Sequence, residues 1–303
     1  MSKSFLVLFF KKELLLLFLC AAAPLRCGVI AERDDWNKVD QHGDLSAFEA
    51  EICRAMGAAP PARFGQEEDG LRALHAGGVD VVVGVTPRPS AAARNQVRFG
   101  AVVFYDAIAV MARSAGTVCA AEGSDAEALL SRPPFSHTGA TVFSFQEEGE
   151  MESALLGGRC AAVAATMSRL AQIRAMYGAK LAEARILPRR LGMVTMALAY
   201  RADDAAHGAV ADWTVQALLQ AEAVGVTQAS ALAWRDDGNV VAERLMGVSG
   251  DAGRALALKP DWAVRVVASV GNYGEIFART VGGARAENAL WTQGGLMVPG
   301  DVQ

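Results

Sequence analysis

At 303 residues the chain is long enough to bury a sizeable core and suits two domains of ordinary size. With 52% hydrophobic and 20% charged residues, the composition is that of a globular protein and excludes a disordered one. The formal net charge of -4 argues against a nucleic-acid partner, whose phosphates demand a basic face.

The N-terminus comes first in the chain and bears on compartment. Phe5 to Phe10 is apolar, Lys11 and Lys12 interrupt it, and Leu14 to Ala23 is apolar again. The second run has basic residues before it and the small residues of Cys20-Ala21-Ala22-Ala23 at its end. It reads as the hydrophobic segment of a signal peptide over residues 1–23, and it is too short to span a bilayer as a helix. Cys20 offers lipid anchoring as a lesser alternative, and a buried N-terminal helix is the structural one. The expected product is a soluble, exported, periplasmic protein. Beyond the leader, Cys27, Cys53, Cys119 and Cys160 form an even set in an oxidising compartment. They allow three pairings, with buried thiols as the alternative to disulfides, and none has the close spacing of a zinc site.

Leu25 to Ile30 reads as a first strand, and Phe48, Ile52, Ala55 and Met56 recur at helical spacing. The helical phrase Leu71-Arg72-Ala73-Leu74 runs through Gly77-Gly78 into the β-branched stretch Val79 to Gly84, the helix, glycine stop and buried strand of an α/β unit. Val102 to Tyr105 and Ile108 to Ala112 read as further strand material. Thr117–Ala120, Ala140–Phe145 and Cys160–Ala165 then alternate as strands with helices at Ala126–Leu130, Glu150–Leu156 and Met167–Met176. Such alternation predicts a largely parallel sheet covered by helices. From Leu198 the pattern turns helical, with segments at Val210–Val224, Ala242–Met246, Asp261–Val270 and Tyr273–Val281. The helix-glycine-strand phrase occurs twice, at Arg72–Val83 and Ser153–Val163, which fits two similar α/β lobes with a cleft for a small ligand.

Several phrases carry a resemblance. Ala73-Leu74-His75-Ala76-Gly77-Gly78-Val79-Asp80-Val81 and Arg94-Asn95-Gln96-Val97-Arg98-Phe99 resemble segments of type II periplasmic binding proteins for polar amino acids. Gly225-Val226-Thr227-Gln228-Ala229 and Asp261-Trp262-Ala263 are similar to that family too. More specific are Gly271-Asn272-Tyr273-Gly274-Glu275-Ile276-Phe277 and Asn288-Ala289-Leu290-Trp291-Thr292-Gln293-Gly294-Gly295-Leu296, which resemble the general L-amino-acid-binding branch. The similarity runs from about Cys27 to about Val298. It implies a two-lobed α/β fold, each lobe a mostly parallel sheet covered by helices, with a helical C-terminal extension. Lobe 1 is expected over 24–110 and 197–303, lobe 2 over 111–196, with crossovers near Ile108–Arg113 and Met193–Tyr200. The resemblance also implies the disulfides Cys27–Cys53 and Cys119–Cys160.

An amino-acid zwitterion needs donors for its carboxylate and acceptors for its ammonium. Arginine suits the first because its planar fork meets a carboxylate bidentately. The resemblance places that arginine after the Val79 strand, at Arg94, with Arg88 as second choice. Backbone donors are expected from Gly84-Val85-Thr86, with the Thr86 hydroxyl. In lobe 2 the turn Gly123-Ser124-Asp125 opens a helix whose free amides suit a carboxylate, and Ser124 also qualifies as a plain N-cap. The family's ammonium-binding aspartate falls near Thr166, where this chain has no carboxylate; Asp125 and Glu122 are the nearby substitutes. Glu49 stands at the first lobe's usual aspartate, Ala47 replaces a usual glycine, and Trp36 sits where an aromatic covers the ligand.

The expected function is therefore the solute receptor of an amino-acid ABC importer. It would be a cofactor-free monomer without catalytic residues or a metal, delivering a small amino acid or related carboxylate to a membrane permease. One alternative is a receptor or sensor whose ligand has changed or been lost. Another is a secreted cyclohexadienyl-dehydratase-like enzyme with Glu122 as general acid, unaccompanied by a nucleophile-elbow, metal or phosphate-loop motif.

Overall fold

The computed structural model describes residues 25–30, 45–58, 60–135, 141–234, 238–283 and 285–301. The expected leader 1–23, Cys20 and Trp36 lie outside the described residues.

Strand β1 (Cys27–Ile30) and strand β3 (Val81–Val85) are buried at every position, as continuous apolar runs covered on both faces should be. They pair in parallel, and β2 (Ala62–Phe64) adds in parallel to β1. Helix α1 (Leu45–Ala55) buries Phe48, Ile52 and Ala55, spaced on one helical face, against this sheet. Helix α2 (Glu67–His75) follows β2, with three acids in its first turn and Arg72 and His75 in its last, matching the helix dipole at both ends. The left-handed Gly77, at φ 72°, turns the chain out of α2 toward β3. Helix α3 (Pro89–Asn95) leads from β3 into β4 (Val97–Ala112).

The second block repeats this grammar. Strand β5 (Val118–Ala121), helix α4 (Asp125–Leu130), strand β6 (Val142–Phe145), helix α5 (Glu148–Leu156), strand β7 (Ala162–Thr166) and helix α6 (Met167–Tyr177) alternate, and β5 pairs in parallel with both β6 and β7. After the short β8 (Arg185–Ile186), strand β9 (Gly192–Arg201) returns to the first block. The resulting order is β2-β1-β3-β9-β4-β7-β5-β6, with β8 pairing β4. Parallel strands thus lie at both ends, and two long antiparallel strands join them.

One reading of the sequence is extended and one is corrected. Val102–Tyr105 and Ile108–Ala112 belong to one 16-residue strand, which pairs with β9 as far as Ile108 and with β7 from Ile108 onward. The polar Asp106 between them does not break it, because its carboxylate is buried and takes hydrogen bonds from Ser168. The chain is also not helical from Leu198. Leu198 and Ala199 are fully buried in β9, and helix α7 (Ala205–Ala223) begins only after Asp204, whose side chain accepts from the His207 amide. An apolar run without clear periodicity fits a buried strand as well as a helix, and here pairing with β3 decides.

The first block's core centres on Phe48, edge-on to Phe104 and Tyr273, with Phe104 stacked on Phe277. The second centres on Met111, Met151, Leu155, Val163, Leu170 and Ile173. A disulfide Cys27–Cys53 ties β1 to α1, and Cys119–Cys160 ties β5 to the segment entering β7.

Helices α8 (Val240–Leu245), α9 (Ala252–Ala255), α10 (Trp262–Val270) and α11 (Tyr273–Thr280) form the C-terminal extension. Asn272 and Glu275 make a reciprocal capping box at the start of α11, and Asn272 Nδ2 also donates to Val226 O at 2.9 Å. The distinctive Gly271–Phe277 phrase therefore has a structural reason. Helix α7 and the extension together seal the outer edge of β4. Asp212 of α7 takes the Ala101 amide, the Tyr273 hydroxyl donates to Val103 O, and Asn288 both accepts from Tyr105 N and donates to Tyr105 O, each at 2.8 Å. An open strand edge left in a buried seam would strand these groups. Asn288→Leu is accordingly expected to lower stability by about 2 kcal/mol, read as a lower urea midpoint, because two backbone groups of Tyr105 lose their partners.

Candidate functional site

Topology brings the two blocks face to face. Strand β3 runs the same way as β4, since each is antiparallel to β9, so its carboxyl end points toward the second block. Strand β7 is antiparallel to β4 and parallel to β5, so the carboxyl ends of β7 and β5 point back toward the first. In α/β sheets, small ligands bind outside the carboxyl ends of strands. The residues there are Gly84 to Arg88 on one side, and Glu122 to Asp125 with Thr166 to Ser168 on the other.

On the first side, Gly84 is buried with φ 83°. A Cβ there would stand 1.9 Å from Glu49 Oε1, so only glycine leaves room for that carboxylate. Glu49 is 1% exposed and accepts the Ile30 amide at 3.1 Å, so an acid does sit at the floor of this side. The Thr86 amide donates to Glu67 Oε2 at 3.2 Å, and Arg88 Nη1 donates to Glu67 Oε1 at 3.2 Å. Arg94, in the last turn of α3, is exposed and pairs with Glu68 at 3.4 Å. Both predicted arginines therefore meet glutamates of the first turn of α2.

On the second side, Ser124 is the N-cap of α4. Its hydroxyl accepts the Glu127 amide at 3.2 Å and donates to Ala121 O at 2.6 Å. Glu122 and Asp125 are exposed. The Gly123 amide donates to Glu127 Oε2 at 2.6 Å, and the Ser144 hydroxyl donates to the same carboxylate. The Ser144 hydroxyl first and the Gly123 amide second hold the Glu127 carboxyl below its ordinary pKa. Glu122 also lines an open hollow of about 790 Å³ along β6, together with Phe143, Phe145 and Arg159. Thr166 immediately precedes α6, its hydroxyl 3.2 Å from the Ser168 hydroxyl.

Asp80, Asp204 and His207 could offer three ligand atoms to a cation, but they sit at the opposite end of β3. Their carboxylates are already engaged by Arg26 and Arg201. The group reads as an ion-pair network.

No family model matches the chain. It is 28% identical, over 90% of its length and 88% of the relative's, to the general L-amino acid-binding periplasmic protein AapJ of Rhizobium johnstonii. It is likewise 28% identical, over 91% of its length and 90% of the relative's, to the glutamate/glutamine/aspartate/asparagine-binding protein BztA of Rhodobacter capsulatus. Among solved structures, an ABC transporter periplasmic binding protein from Brucella ovis with glutathione bound matches with a TM-score of 0.73. That match has 27% identity and covers 92% of this chain and 96% of that one. The chain is a homologue of amino-acid-binding periplasmic proteins.

These relatives are named as binding proteins, and the Brucella ovis structure is a periplasmic binding protein of an ABC transporter. In periplasmic binding proteins closure is a hinge motion, and here β4 and β9 are the strands that join the blocks. These connecting strands supply the residue that sequence reasoning missed. Asp106 is the one acid in β4, is 2% exposed, and accepts both the Ser168 amide at 3.1 Å and the Ser168 hydroxyl. It brings a carboxylate to the start of α6 beside Thr166, where the binding-protein pattern led us to look for an acid. The available signal was a lone acid in an otherwise apolar strand. A second link lies nearby, where Arg190 of the segment entering β9 pairs with Glu287 of the C-terminal extension at 3.3 Å.

Proposed function

We propose that the chain is the solute receptor of an amino-acid ABC importer, closing its lobes on a small amino acid or related carboxylate and presenting it to the permease. In this reading residues 1–23 direct export and are removed, residues 24–110 with 197–303 form one lobe, and residues 111–196 form the other. The observation that carries the reading is the opposed carboxyl ends of β3 and of β5 and β7, joined among the described strands by β4 and β9. The solute would lie between Gly84, Thr86, Arg88 and Arg94 on one side and Glu122, Ser124, Asp125 and Thr166 on the other, with Asp106 supplying charge at the hinge. Homology to proteins that bind amino acids and a structural match to one holding glutathione support this ligand class.

A thermal-shift panel of the twenty amino acids, glutathione, small dicarboxylates and amines tests it, because a ligand of the folded form stabilises by mass action, about 2.7 kcal/mol at a hundredfold excess over Kd. A rise with a zwitterion is expected. Arg88→Ala and Arg94→Ala, assayed separately, should identify the carboxylate anchor by abolishing the rise while the fold persists. Shifts confined to non-amino acids would replace the amino-acid reading, and turnover of prephenate would replace the receptor with an enzyme. N-terminal sequencing of the exported protein checks removal of residues 1–23.

A further inference from the structure

We infer that Glu67 is a specificity-determining residue, an internal carboxylate occupying the first-side donors that a solute carboxylate would need. The inference rests on the proposed cleft and adds a control on what enters it.

A solute carboxylate at the end of β3 would look for a backbone amide and a guanidinium. Both are present in Thr86 and Arg88, and both are engaged by one side chain, with Glu67 Oε2 on the Thr86 amide and Oε1 on Arg88, each at 3.2 Å. This is the bridging arrangement a bound carboxylate would adopt. Glu67 is well placed for it. It opens α2, whose packing against β1, β2 and β3 fixes its backbone, and its side chain is only 21% exposed whereas that of Arg88 is 54% exposed. The second side shows the same device independently, with Glu127 taking the Gly123 amide and the Ser144 hydroxyl. The Thr86 amide and Arg88 on one side, and the Gly123 amide on the other, thus face a carboxylate from the chain itself, which an incoming carboxylate has to displace to use those donors. Intramolecular competition of this kind weakens every carboxylate ligand, and most of all a ligand with no other anchor. Glu67 thereby favours solutes that add contacts elsewhere in the cleft over simple acids.

Glu67→Gln tests this. The amide keeps an acceptor for Thr86 but gives up the charge that holds Arg88. Glu67→Asp keeps the charge but, one methylene shorter, withdraws it from both donors. Titration calorimetry with L-glutamine and with succinate is expected to show both variants binding about tenfold more tightly than the parent chain, with the larger gain for succinate. Equal affinity in all three proteins overturns the inference and leaves the receptor reading standing. A gain in Glu68→Gln without one in the Glu67 variants also overturns it, by assigning the anchor to Arg94. If the parent and both variants bind nothing in the thermal-shift panel, the receptor reading itself fails, a result distinct from either of those.

Discussion

Replacing Cys119 and Cys160 together by alanine is expected to remove about 3–4 kcal/mol of stability, a large fraction of the roughly 5–15 kcal/mol a folded domain has in all. The bridge spans 41 residues of chain, and closing a loop of that length in the unfolded state restricts it strongly. The enclosed stretch holds α4, β6, α5 and most of β5, so more than half of the second block's described helices and strands hang on this one link. Both cysteines are 1% exposed in a core with Met111, Met151 and Leu155, and alanine there also leaves a small void. The matching change at Cys27 and Cys53, spanning 26 residues, should cost slightly less, since the loop is shorter and the first block has the larger core. Urea unfolding followed by tryptophan fluorescence and far-ultraviolet circular dichroism checks both. An unchanged midpoint in the Cys119/Cys160 variant, or in parent protein treated with dithiothreitol, would show that the bridge contributes nothing.

The fold was legible because its signals are local. Val81–Val85 reads as a buried strand from five consecutive residues, and the spacing of Phe48, Ile52 and Ala55 reads as a helix face without knowledge of what covers it. Both disulfides came from the family resemblance, since four cysteines alone leave three pairings open. The chemistry of the cleft was less legible because it depends on residues that meet only after folding. Glu67 lies 19 residues before Thr86, and nothing in the sequence announces that its carboxylate reaches that amide. Asn288 meets Tyr105 across 183 residues, so the sealing of β4 had no local signature. Asp106 is a lone acid in an apolar run, and its partner Ser168 lies 62 residues on, so the carboxylate's place became visible only in the fold. Arg88 and Arg94 were singled out through the family resemblance, whereas their Glu67 and Glu68 partners are tertiary facts.

Glu152→Ala is expected to destabilise the second block by about 3 kcal/mol and to weaken solute binding with it. Arg169, in the first turn of α6, is buried and pairs with Glu152 of α5, which is buried too, and with the more exposed Glu148 at 2.7 Å. Burial pulls the Arg169 guanidinium below its ordinary pKa, against the pull of the two glutamates, so the cation is already held where solvation is poor. The Tyr177 hydroxyl donates to the other Glu152 oxygen at 2.7 Å, and that bond, with burial, pushes its pKa up to about 12. Removing Glu152 strands one buried charge and one hydroxyl at once, the situation in which a broken buried pair costs about 3–5 kcal/mol; the remaining Glu148 places the expectation at the low end. The double variant Glu152→Leu/Arg169→Met, which removes both charges and keeps the volume, should recover most of the loss. Function is linked because this pair anchors the first turn of α6 to α5, and that turn carries Ser168 against Asp106 beside Thr166. A loosened α6 shifts the second wall of the cleft. Calorimetric titration of the single and double variants should therefore track stability, with weaker binding in Glu152→Ala and near-parent binding in the double. Parent-like binding in a strongly destabilised Glu152→Ala would mean that α6 takes no part in holding the solute.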